Sequence, residues 1–212
     1  GSCTIDRCSD VRSCTRSMLD VRSCTSMMPD VRSCTSIDAQ TYVADIDRCS
    51  DDSAGGNLAA AVCLKARDTG EFIPKKQILI YPALNNCYTE GSPYKSVQEN
   101  GEGYLLTAVK MEDYLKLYES SPEDRQNPYF APILEKDLSH MPETLILTAE
   151  FDPLDEGEEY GKRLKEANNY VEIHRIPDAL HGYFALGIRF LHVQEVLDHE
   201  SFFEQKLNKG SE

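Results

Sequence analysis

The chain has 212 residues, 41% hydrophobic and 27% charged, the profile of a globular domain and not of a fibre or a disordered tail. Its 36 acidic residues against 22 basic ones give a formal charge of −14, which would repel a phosphate backbone and argues against a nucleic-acid partner. No apolar run approaches the roughly 20 residues of a spanning helix, and the N-terminus lacks a signal-peptide pattern, so the expectation is a soluble, cytoplasmic protein.

Residues 1–50 differ in composition from the rest. They hold six of the eight cysteines, six Arg, seven Asp, a single leucine and no Lys, Glu or Phe, so that −13 of the charge falls in 51–212. A ten-residue repeat runs through Asp10-Val-Arg-Ser-Cys14-Thr, Asp20-Val-Arg-Ser-Cys24-Thr and Asp30-Val-Arg-Ser-Cys34-Thr. Cysteines ten apart with no histidine in the segment do not match metal-ligand spacing, and disulfides would need an oxidising compartment. The segment reads as low-complexity and of uncertain structure; a metal-binding or interaction module is the weaker reading.

After residue 50 helical and strand patterns alternate. Asn57-Leu-Ala-Ala-Ala-Val-Cys-Leu-Lys-Ala-Arg67 predicts a helix over 55–68, stopped at Gly70. Gln77–Tyr81 and Glu143–Thr148 are short apolar runs of the kind buried on both faces of a parallel sheet, and Tyr170–Ile176 is a half-buried version ending at Pro177. Helices are expected over 107–119, 155–168 and 192–207, the last with Leu191, Val193, Val196, Leu197 and Phe202 on its apolar side. Strands separated by helices imply an α/β fold with a parallel sheet covered on both faces, its chemistry gathered beyond the carboxyl ends of the strands.

Ser53, in Asp51-Asp52-Ser53-Ala54-Gly55-Gly56, stands where a strand must turn sharply into that first helix. The Ala54 N–H at the helix N-terminus is placed to hold an oxyanion. A serine needs a base and the base an orienting acid. Asp152 follows the strand ending near Thr148 and His181 follows the one ending near Ile176, so all three lie past strand ends on one sheet edge, in the order Ser, Asp, His. Taken singly, Ser53 could be a helix N-cap, Asp152 a turn residue and His181 a solvated histidine. His140, His174, His192 and His199 read as structural or solvated, and Cys63 and Cys87 as buried free thiols.

Five strings occur together and in order: DSAGGNLA at 52–59, LIYPAL at 79–84, NPYFAPIL at 127–134, LILTAEFDPLDEG at 145–157 and LHGYF at 180–184. In these, residues 51–206 resemble the C-terminal part of a hormone-sensitive-lipase-like carboxylesterase of the α/β-hydrolase fold. The resemblance implies Ser53 as nucleophile, Asp152 as acid, His181 as base, and hydrolysis of short or medium acyl esters of small molecules without metal or organic cofactor. The sequence departs from that family at four places. Asp51 stands where the elbow motif opens with glycine. No glycine lies between Gly1 and Gly55, so the HGGG segment that completes the oxyanion hole is absent. Residues 1–50 do not resemble the first half of the sheet, and only Thr41–Ile46 offers a strand leading to Ser53. The spacing after Asp152 is one residue short, which leaves Asp155 as an alternative acid. The competing reading is an impaired hydrolase remnant serving as a scaffold or interaction protein, and a truncated sheet edge would favour association of copies.

Overall fold

A computed structural model describes residues 48–209 apart from 71, 73 and 188. The repeats of residues 10–35 and the candidate strand Thr41–Ile46 lie outside the described residues.

Four strands form one parallel sheet in the order β1 (Arg48–Asp52), β2 (Lys76–Ile80), β3 (Glu143–Phe151), β4 (Val171–Leu180). Each neighbouring pair is joined by a crossover that carries helix: α1 (Ser53–Thr69); α2 (Lys95–Glu99) and α3 (Ala108–Tyr118); then α4 (Glu156–Glu166). α5 (Leu191–Lys209) follows β4. Alternation along the central strands sorts the two faces. Leu79 and Ile146 pack with Ala60, Leu64, Tyr160 and Leu164 of α1 and α4, whereas Ile78, Ile80, Leu145 and Leu147 pack with Val196 and Phe203 of α5. This doubly covered parallel sheet is the architecture the alternating pattern implies.

The differences from expectation have local causes. The strand entering the elbow is Arg48–Asp52, a polar pentapeptide in which Cys49 alone is buried. It is held by parallel pairing, Asp51 opposite Leu79 and Asp52 opposite Ile80, so tertiary contact overrides its weak pattern. The compositional seam at residue 50 therefore falls inside β1. β4 runs past Pro177 to Leu180, which an edge strand permits, with a register shift between Ala149 and Phe151 of β3. α1 begins at Ser53 and ends as expected, Gly70 adopting φ 65° with its N–H on the Ala66 carbonyl at 2.8 Å. α5 buries Val193, Val196 and Phe203 and exposes Leu191 and Phe202, so its inward stripe includes Phe203 in place of Phe202. Cys63 is buried, but Cys87 is only half-buried, its Sγ 3.2 Å from Thr89 Oγ1.

A third cluster, including Tyr88, Met111, Leu115, Phe130 and Leu154, gathers residues of the segments that follow β2 and β3. Among the described residues no helix is long and apolar enough to cross a membrane.

Candidate active site

The turn from β1 into α1 is tight. Asp52 is extended, with φ −111° and ψ 153°, and Ser53 is left-handed with φ 52°, a conformation that costs a non-glycine residue energy. Asp52 occupies the helix N-cap with no side-chain cap bond, so Ser53 is not the N-cap that its context also allowed. The Ser53 carbonyl accepts from Ala83 N–H at 3.2 Å. Asn57, buried one turn on, donates to the carbonyls of Ala83 at 2.7 Å and Phe130 at 2.9 Å, tying α1 to the segments after β2 and before β3. Ala54 is exposed in the first helical turn, where backbone N–H groups lack helical acceptors.

Ser53 Oγ lies 2.8 Å from His181 Nε2, and His181 Nδ1 lies 2.7 Å from Asp152 Oδ2. Three residues separated by up to 128 positions thus form one hydrogen-bonded chain across the ends of β1, β3 and β4. Asp152 is 3% exposed, and burial pushes its carboxyl above the usual range while His181 pulls it down. The His181 side chain is 12% exposed, enough for the outer edge of the relay to meet solvent. Asp155 is engaged elsewhere: it accepts from Ser96 N–H at 3.2 Å and pairs with Arg175 at 3.1 Å.

Asp51 is half-buried and turns its carboxylate over the first turn of α1; its Oδ1 accepts from Asp52 N–H at 2.8 Å. A Cβ at Gly55 would lie 2.3 Å from Asp51 Cγ, so the Asp51 side chain fits at the elbow because residue 55 has none. Burial and the adjacent Asp52 raise the Asp51 carboxyl to about 6.

Several supporting residues carry no sequence signal. Asn100 Nδ2 donates to the carbonyls of Glu150 and Asp152, both at 3.1 Å, and so ties down the segment that carries Asp152. Tyr81 packs its ring on His181 with centroids 4.7 Å apart, stacks edge-on against Tyr183, and donates its hydroxyl to Asp52 Oδ2 at 2.9 Å. Tyr88 donates to Glu156, which is fully buried at the start of α4. Only the Tyr-Pro pair closing the β2 run could have pointed to Tyr81. His174 and His199 stack on each other at 3.9 Å away from the relay. Among the described residues no cluster of three or more His, Cys, Asp or Glu side chains could hold a metal ion.

Residues 50–185 match the family model described as alpha/beta hydrolase fold. An ethyl acetate hydrolase of Pseudomonas putida is 36% identical over 139 residues, 64% of this chain and 42% of that protein. An arylesterase of Saccharolobus solfataricus is 36% identical over 133 residues, 62% of this chain and 42% of the relative. Among solved structures, a hyperthermophilic esterase from the archaeon Pyrobaculum calidifontis superposes with a TM-score of 0.67 at 38% identity, over 76% of this chain and 52% of the other. The chain thus spans less than half the length of these two curated relatives.

Proposed function

Since the chain belongs to the alpha/beta hydrolase fold family, and within it to the hormone-sensitive-lipase-like carboxylesterases, we propose that it hydrolyses carboxylic esters of short or medium acyl chains through Ser53, His181 and Asp152. The observation that carries the proposal is the relay itself, with 2.8 Å between Ser53 Oγ and His181 Nε2 and 2.7 Å between His181 Nδ1 and Asp152 Oδ2. Ser53 Oγ attacks the ester carbonyl as its proton passes to His181 Nε2. The tetrahedral oxyanion is met by the Ala54 N–H at the positive end of α1. His181 then returns the proton to the departing alcohol, leaving an acyl-Ser53 ester. Water, deprotonated by the same imidazole, releases the acid and restores the serine. Asp152 holds the Nδ1–H tautomer and offsets the imidazolium charge; its burial makes that interaction stronger than it would be in water.

The intact relay geometry favours hydrolysis over the scaffold reading, because a remnant free of selection for chemistry has no reason to hold a left-handed serine against a histidine. The test is Ser53-dependent turnover of p-nitrophenyl butyrate together with stoichiometric labelling by a fluorophosphonate. Ser53→Ala should abolish labelling and cut kcat by a factor of about 10⁴ or more, and Asp152→Asn should cut it by a similar factor. Turnover that survives Ser53→Ala, or wild-type protein that never labels, would overturn the proposal.

A further inference from the structure

Two carboxyl groups are buried at the end of β3, and only one belongs to the relay. Asp152 is 3% exposed and Glu156, four residues on, is fully buried. Each keeps one oxygen, Asp152 Oδ1 and Glu156 Oε2, with no hydrogen-bond partner among the described residues. Two carboxylates buried four residues apart penalise each other's ionisation in a low-dielectric interior, which favours a proton on one of them. Asp152 is bonded to His181, which favours its charged form. Glu156 forms no ion pair among the described residues: the groups that act on it most strongly are the Tyr88 hydroxyl, the Asp152 carboxylate and backbone hydrogen bonds at Leu84 and at its own residue. Around the half-buried Tyr94 nearby stand Glu159 and Arg163 as well, the Arg163 guanidinium being bonded to the carbonyls of Ile133 and Glu135.

We infer that Glu156 is a positioning residue of the relay, retained as a neutral acid so that Asp152 is the single negative charge presented to His181. This inference rests on the hydrolase reading for its functional consequence, but not for the protonation state itself. Burial dominates the environment of Glu156 and raises its carboxyl to about 8, opposed by the bonds from Tyr88 and from backbone at Glu156 and Leu84 and reinforced by the charge of Asp152. Tyr88, itself buried and held well above the usual phenol range, remains a donor throughout. When Glu156 ionises, a second charge enters the pocket, Asp152 is driven from its place on Nδ1, and the relay loses its orienting acid.

The consequence is a fall in kcat on the alkaline side, centred near pH 8, that belongs to Glu156. Glu156→Gln, the shape of the neutral acid, should keep kcat at pH 7 within about threefold and remove that fall. Tyr88→Phe deletes a bond that stabilises the anion and should move the fall to higher pH, a direction that a purely structural role would not produce. An infrared difference spectrum between pH 6 and pH 9 reads the proton without turnover: wild type should lose a protonated-carboxyl C=O band that Glu156→Gln lacks. A band that persists in Glu156→Gln, its absence from wild type, or an alkaline fall unchanged by both substitutions would overturn the inference. Failure of the hydrolase reading would instead show as absence of Ser53-dependent turnover with the infrared band still present.

Discussion

Asp51→Asn isolates the charge that this chain carries where its family's elbow motif opens with glycine. Asn preserves the shape and keeps an Oδ1 to accept the Asp52 N–H, now 2.8 Å away, so only the charge changes. The carboxyl rises from 3.8 to about 6, mainly through burial and secondarily through Asp52. The folded protein therefore binds this proton more tightly than the unfolded chain does. Its stabilising effect is complete below pH ~4, is lost as pH rises toward 6, and is absent above that. At about 1.4 kcal/mol per tenfold change in proton affinity the whole interval corresponds to about 3 kcal/mol, which partial exposure of the side chain reduces to about 1–1.5 kcal/mol. The N-terminus of α1 favours the anion by about 0.3–1 kcal/mol, so the net gain expected from Asp51→Asn at pH 8 is about 0.6 kcal/mol at the centre of these ranges. Urea midpoints at pH 4 and pH 8, compared at constant m, measure it: higher for the variant at pH 8 and equal at pH 4. Equal stabilisation at both pH values, or destabilisation at pH 8, would refute the electrostatic argument.

Asn57→Ala removes both donors that bridge α1 to Ala83 and Phe130 and leaves two carbonyls short of a partner, so urea denaturation should report a loss of about 2–5 kcal/mol. The His174–His199 stack should make the protein sensitive to acid. Burial and His174 hold the His199 imidazole below its ordinary range, so its contribution to stability is present at neutral pH and is lost as pH falls through 6.5 toward the folded value. Thermal melts at pH 7 and 5 should show a smaller acid-induced drop for His199→Phe than for wild type, and an identical drop would remove the stack from the account.

How much of this was legible depended on where each element's stabilisation comes from. β2 and β3 are buried on both faces, so Ile78-Leu79-Ile80 and Leu145-Ile146-Leu147 announce themselves as continuous apolar runs. β1 hides because its one inward side chain is Cys49 and its stability lies in the ladder to β2. α2 hides because five residues with only Ser96 and Val97 buried leave no period to detect. The relay could be found because its members sit at strand ends, a position fixed by topology once the strands are placed. Its supports could not. Asn100 to Asp152, Tyr81 to Asp52 and Tyr88 to Glu156 are long-range side-chain contacts between a strand end or loop and another segment, with no local pattern to mark them.

The departure at residue 51 and the match at residue 55 are physically one feature. An elbow needs close approach on both sides of its serine, and a side chain at the opening position must go somewhere. Here it goes over Gly55, where a methyl group would overlap the Asp51 carboxyl carbon. On the next residue the same turn is closed from the other side, since a Cβ at Gly56 would lie 2.9 Å from Pro82 Cβ. The two glycines are therefore committed to different neighbours, Gly55 to Asp51 and Gly56 to the segment that follows β2. A sequence pattern that counts glycines treats Asp51 as a broken motif. Packing treats it as a side chain lodged in space that the motif's remaining glycine keeps open, which is why Ser53 can retain its left-handed turn and its bond to His181 with a carboxylate two residues before it.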